Sequence, residues 1–157
     1  MNSDDFGDDP VKHVMATVPG SCHASCVAIN DRAVLIFGKS GAGKSTLALQ
    51  LMALGACLVA DDLVQISEQS QKLWVSHPKM TAQRNAIEAR HFGILNVPTV
   101  TACELHCAID MDVLETKRLP EERVVQFGNY FVRVFHKVDS PAFPAMVLQY
   151  LLHQTLE

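Results

Sequence analysis

Apolar and polar positions alternate along most of this chain with the two-residue period of strands, and two stretches change to the longer period of a helix. Residues 12–18 and 22–29 read as strands, and Asn30-Asp31 offers a two-residue turn into the apolar run Ala33-Val34-Leu35-Ile36-Phe37. A helix over Thr46–Leu54 stops at Gly55. Cys57–Ala60 is a short buried strand, and Leu63–Ile66 and Leu73–Val75 form a hairpin around the polar turn 67–72. His77-Pro78 interrupts the pattern, and a polar stretch runs to Asn85. Two short apolar segments, Ile87–Arg90 and Gly93–Val97, precede the long strand Cys103–Val113. A charged loop over 117–122 contains Pro120, one or two strands cover 123–138, and a second helix is predicted over 143–156 from Phe143, Met146, Val147, Tyr150 and Leu151. There is no internal repeat. The fold class this implies is α/β: one domain over residues 11–157 with a mixed, hairpin-rich sheet.

One segment carries chemistry by itself. Gly38-Lys39-Ser40-Gly41-Ala42-Gly43-Lys44-Ser45 fits G-x-x-x-x-G-K-[ST], and it lies between an apolar strand and a helix, the context a phosphate loop needs. Glycines let backbone N–H groups turn inward around phosphates, and the helix N-terminus adds a favourable dipole. Lys44 is placed to reach the terminal phosphates, Ser45 to offer its hydroxyl to Mg²⁺, and Thr46 opens the helix behind them. The chain is therefore expected to bind a nucleotide or another polyphosphate.

Bulk composition narrows the class. With 157 residues, 48% hydrophobic and 19% charged, the chain is long enough for one core that buries about 70% of the unfolded surface. A net charge of −4 argues against nucleic acid as the main partner. No apolar stretch approaches the roughly 18 residues of a membrane span. Asp4, Asp5, Asp8 and Asp9 make residues 1–10 an acidic, solvated tail expected to be disordered, without the basic start of a signal peptide. Five cysteines and no export signal fit reduced thiols in a cytoplasm. Cys22-His23 with Cys26, and Cys103 with His106-Cys107, invite a zinc reading. On strands, however, Cys22 and Cys26 point away from His23, so buried structural thiols are the better account.

Phosphoryl transfer also needs groups that hold a metal and position the nucleophile. Asp61-Asp62 ends an apolar strand, where a Walker-B-type carboxylate belongs, and neighbours in a strand project oppositely. One can serve the phosphates or metal while the other turns to a supporting partner. Glu88 and Arg90, two apart on an extended segment, share a face that suits metal binding and charge neutralisation.

Together, Cys22-His23-Ala24-Ser25, the glycine-rich loop, Cys57–Asp62 and Ile87–Val97 resemble, in order and spacing, the catalytic domain of the HPr kinase/phosphorylase family. The resemblance covers residues 11 to about 126. With no N-terminal domain ahead of it, the chain looks like the short alphaproteobacterial form. The resemblance implies a phosphate-loop domain similar to phosphoenolpyruvate carboxykinase. It implies an ATP- and Mg²⁺-dependent kinase acting on a regulatory serine of HPr, the phosphotransferase-system carrier protein, and a reverse phosphorylase reaction. By the same resemblance Asp61 is the catalytic aspartate, base in one direction and acid in the other, and His23 supports the aspartate pair. Arg118 is the loop arginine that contacts phosphate and partner, Ser45 and Glu88 contribute to the Mg²⁺ site, and Asp62 lies near it. The family assembles as hexamers; the 143–156 helix is either an interface element or core.

The family's E-x-R-G-L-G step reads Glu88-Ala89-Arg90-His91-Phe92-Gly93 here. His91 in place of glycine is expected to close a backbone conformation with positive φ or to block an approaching surface. Two other readings of the chain stay open: a nucleotide-binding regulatory module without transfer activity, and a small-molecule kinase on the same loop.

Overall fold

The fold, taken from a computed structural model, is described for residues 11–78 and 85–153. The acidic tail, part of the polar stretch after Pro78 and the last residues of the predicted second helix lie outside these. In chain order the elements are β1 (Val11–Ala16), β2 (Gly20–His23), β3 (Ser25–Ile29), β4 (Arg32–Phe37), α1 (Lys44–Ala53), β5 (Cys57–Ala60), β6 (Leu63–Gln69) and β7 (Lys72–Ser76). They continue with β8 (Ala86–Ala89), β9 (Gly93–Asn96), β10 (Ala102–Leu114), β11 (Arg123–Phe127), β12 (Tyr130–Lys137) and α2 (Phe143–His153).

The main sheet runs β1-β11-β12-β10-β4-β3-β5, and β2, β6 and β7 join it as a second leaf through pairing of β7 with the start of β10. Adjacent strands are mostly hairpins, as the sequence predicts. The centre is different: β10 pairs parallel with both β4 and β12. Strand β4 shows why its run is continuously apolar. Ala33, Leu35 and Phe37 enter the core between the main sheet and the second leaf, whereas Val34 and Ile36 enter the core beneath α1 and α2. A strand buried on both faces has no polar side to show. The second core contains Leu47, Leu51, Phe143, Val147 and Leu151, so α2 packs inward.

Two departures from the simple pattern have local causes. The predicted strand 22–29 is cut at Ala24: β2 pairs with β6 in the second leaf, and β3 pairs with β4 and β5 in the main sheet. Strand β10 is irregular between Leu105 and Cys107. Cys103 and Leu105 belong to the first core, but Cys107, Ile109 and Met111 belong to the second, so one extra residue exchanges the faces. Cys22, Cys26, Cys103 and Cys107 are buried free thiols, as expected. Burial pushes Cys22 and Cys103 up to about 11 and Cys107 up to about 12, which keeps them protonated and unreactive. No helix among the described residues is long and apolar enough to cross a membrane.

Candidate active site

Strands β4 and β10 run parallel, and the loop 38–43 leaves the carboxyl end of β4 to enter α1. Gly43 sits at the N-cap with φ 98° and ψ 21°, a left-handed conformation, and no side chain caps the helix. The first turn of α1 also carries no acidic residue. Its N–H groups are thus presented with the positive end of the helix dipole, an arrangement that favours an anion. A Cβ on Gly38 would meet Ala42, Met111 and Asp112 at 3.2 Å, so glycine there permits the tight exit from β4.

The loop is braced by its own neighbours. Lys44 Nζ donates to the carbonyls of Gly38 at 2.8 Å and Lys39 at 3.0 Å. The Lys39 N–H donates to both carboxylate oxygens of Asp112, at 2.9 and 3.1 Å, and the Ala42 N–H donates to the Lys39 carbonyl at 3.0 Å. Two of the amides predicted for phosphate, those of Lys39 and Ala42, are therefore committed inside the protein. Asp112 is held in turn, since its N–H donates to Asp110 Oδ1 at 2.9 Å. Sequence reading missed this brace; a D-x-D step at the end of a long strand was its only trace.

Asp61 and Asp62 follow the end of β5, and the backbone sends them apart. Asp62 has φ 75° and is exposed. Asp61 is partly buried and accepts from the hydroxyl of Ser45 at 3.0 Å (Oδ1) and 3.3 Å (Oδ2). It also accepts from Ser25 at 2.5 Å, a partner that sequence reading named only as part of a motif. Asp61, which the resemblance makes the base, is thus the carboxylate touching Ser45, while Asp62, expected at the metal, is exposed along the same cleft.

Strands β8 and β9 form a separate two-stranded sheet across from the loop. One cleft of about 1040 Å³ is lined by His23, Ser25, loop residues from Gly38 to Thr46, Asp61, Asp62, Glu88, Arg90 and Phe92. It thus brings together most of the residues singled out from sequence. Arg118 is not among its lining residues; it lies exposed on the segment after β10. That segment is tied at its base by Arg123, whose guanidinium donates to Glu115 at 2.6 Å and holds this carboxyl below the usual range. His91 adopts φ 67°. The left-handed conformation expected to close is retained, with the side chain exposed at the hairpin tip.

The oxygens available, the Ser45 hydroxyl and the Asp61, Asp62 and Glu88 carboxylates, are the hard donors a magnesium ion takes. Among the described residues no three His, Cys, Asp or Glu groups converge closely enough to form a metal cage.

A profile of the HPr serine kinase C-terminal domain matches residues 15–121. The chain belongs to this family. Among its relatives, the HPr kinase/phosphorylase of Aromatoleum aromaticum is 38% identical over 104 residues, covering 64% of this chain and 33% of the relative. That of Clostridium tetani is 42% identical over 78 residues, 50% of this chain and 25% of the relative. The chain thus spans only a quarter to a third of the length of these two relatives. The solved HPr(Ser) kinase/phosphatase from Coxiella burnetii superposes with a TM-score of 0.68 at 24% identity, over 85% of this chain and 88% of that one. This likeness establishes the mixed α/β fold of the HPr kinase domain, with its curled, strand-rich sheet.

Proposed function

We propose that this chain is an ATP- and Mg²⁺-dependent serine kinase acting on an HPr-type phosphocarrier protein, with the reverse phosphorylase reaction as its second direction. One observation carries the reading. A loop fitting the phosphate-binding pattern, an uncapped helix start and a carboxylate on the loop serine meet in one cleft, in a chain of the HPr serine kinase C-terminal domain family. The fold then belongs with phosphate-loop domains of the phosphoenolpyruvate carboxykinase type, and the setting is the cytoplasm.

In this reading the α1 N–H groups, with the amides of Ser40 and Gly41, cradle the nucleotide phosphates. Lys44 leaves the carbonyls of Gly38 and Lys39 for the transferring phosphate, where charge stabilisation dominates the barrier. Ser45 with Asp62 and Glu88 would hold Mg²⁺, which would supply charge neutralisation to the nucleotide phosphates. Asp61 orients the acceptor serine and takes its proton, and in reverse returns it to the leaving oxygen. His23, at the rim of the same cleft, supports the aspartate pair. Arg90 adds positive charge from the hairpin, and Arg118, on its exposed segment, meets the acceptor protein or its phosphate. A hexamer is proposed on family grounds, through surfaces other than the buried face of α2.

The test is transfer of label from ATP with Mg²⁺ to HPr-type proteins, beside Asp61→Asn. Label on serine that vanishes in the variant, with nucleotide still bound, supports the assignment. Tight nucleotide binding with no label on any acceptor replaces it with a regulatory module, and label on a small molecule with a metabolite kinase.

A further inference from the structure

The carboxylate of Asp61 is gripped from two sides. From the loop, Ser45 reaches both oxygens at 3.0 and 3.3 Å. From the sheet, Ser25 donates to Oδ1 at 2.5 Å, at the short end for a hydroxyl bonded to an oxygen. Ser25 is only 1% exposed, although it lies at the cleft floor. Its hydroxyl cannot turn to bulk water, so the bond to Asp61 is its means of satisfying a buried donor.

The backbone sets up this pairing. Cys26 lies opposite Ala60 in the antiparallel β3–β5 ladder, so residue 25 falls opposite residue 61, just beyond the strand end. The Ala24 N–H donates to the Asp62 carbonyl at 3.2 Å and fixes the same crossing. The switch of sheets at Ala24 starts β3 at Ser25 and leaves its hydroxyl against the carboxylate.

The two grips differ in the work proposed for them. In the kinase reading the Ser45 hydroxyl would also be a cation ligand through its oxygen. The Ser25 hydroxyl, buried beneath it, is bonded to Asp61. From this we infer that Ser25 is a positioning residue for phosphoryl transfer: it holds Oδ1 so that Oδ2 stays available for the acceptor proton. The assignment rests on the kinase reading above and adds a residue that acts only through Asp61.

The experiment compares Ser25→Ala, Ser25→Cys and Ser25→Thr in the full chain, reading transfer rates, KM for Mg-ATP, binding of a fluorescent nucleotide and melting temperature. Ser25→Ala should lose about 10- to 100-fold in kcat, the usual effect of removing such a supporting partner. KM, nucleotide affinity and melting should stay near wild type. Ser25→Cys, similar in size but a weak donor, should be slow like alanine, and Ser25→Thr should recover most of the rate. A Ser25→Ala enzyme within twofold of wild-type kcat overturns the inference. So does failure of threonine to rescue, or a rate loss matched by lost affinity and melting. A wild type that binds nucleotide but transfers nothing removes the kinase reading instead. The role in transfer falls with it, and the part that stands alone, that Ser25 fixes the Asp61 carboxylate, is read from a crystal structure of Ser25→Ala: a carboxylate unmoved from Ser45 overturns it, and one turned away supports it.

Discussion

The two walls of the cleft are built differently. The loop wall grows out of β4, whose both faces are buried, and is braced by Lys44, Asp112 and the start of α1. The opposite wall is the β8–β9 hairpin, a two-stranded sheet by itself, with Phe92 81% and Ile94 65% exposed. Its hold on the body comes largely from Ile87, buried beside Leu47 and Leu51, with Leu95 and Val97 packed at the edge. A two-stranded hairpin is marginal without such packing. The loop wall is thus fixed by the core, and the wall carrying Glu88 and Arg90 is held by fewer buried side chains. In the proposed kinase, binding a common ligand would call for the first kind of wall and admitting one particular acceptor for the second.

The largest expected effect tests the fixed wall. Lys44→Ala should reduce transfer by roughly a thousandfold or more, since in the proposed function it removes the cation that leaves its two carbonyls for the transferring phosphate. Steady-state rates with ATP and an HPr-type acceptor measure it, and near-normal transfer would remove the loop from the mechanism. A milder lesion, Asp112→Ala, takes away the acceptor for the Lys39 N–H and leaves every proposed phosphate donor in place. Its bond is exposed, so about 1 kcal/mol, or roughly fivefold in nucleotide affinity, is the expected loss. Titration calorimetry reads this directly. An unchanged affinity would mean that the loop keeps its shape without the brace, and the contrast between the walls would weaken.

These two predictions differ in how visible their residues are in sequence. The loop declares itself, because glycine and lysine at fixed offsets are what a phosphate cradle physically requires. The strand before it, β5 and the turn at Asn30-Asp31 were legible for similar local reasons; both turn residues take positive φ, 50° and 62°. Asp112 was not legible, since its role depends on β10 lying parallel to β4, a pairing between residues more than sixty apart in the chain. The exchange of faces near His106 hid it further: alternation counted from Cys103 gives the wrong parity beyond the irregularity. Ser25 was quoted but unassigned, because its meaning comes from facing residue 61. Local chemistry can be read from a sequence, whereas cross-strand partners come from tertiary register.

The segment bearing Arg118 is the part proposed to meet the acceptor protein. Its base is closed by Glu115 with Arg123. The folded-state pKa of Glu115 is lowered, chiefly by the hydrogen bond from Arg123. A lowered carboxyl pKa contributes stability above the unfolded value, and this is lost as pH falls through the folded value. Glu115→Gln should therefore melt slightly below wild type at neutral pH, and the two should converge only once pH falls below the lowered folded value, where both side chains are neutral. Melting curves across that range check the sign. A difference that persists in acid would show that the ion pair is not what closes the segment.

The smallest effect probes the hairpin alone. His91 holds φ 67°, where a side chain costs about 1–2 kcal/mol, and glycine would relieve this while adding up to about 1 kcal/mol of chain entropy. His91→Gly should stabilise the hairpin by roughly 0.5–1 kcal/mol, the difference between the two. Where the gain appears decides whether the walls are separate. If β8 and β9 open independently of the body, amide hydrogen exchange in residues 86–96 slows about two- to fivefold while the melting temperature hardly moves. If the hairpin opens only with global unfolding, the same gain raises the melting temperature by about 1–4 °C and slows exchange in the β4 and β10 core as well. The first result makes the hairpin an adjustable wall set against a fixed one. The second makes the cleft one cooperative unit, and the specificity of the acceptor would then have to come from rigid shape at Phe92 and Arg90.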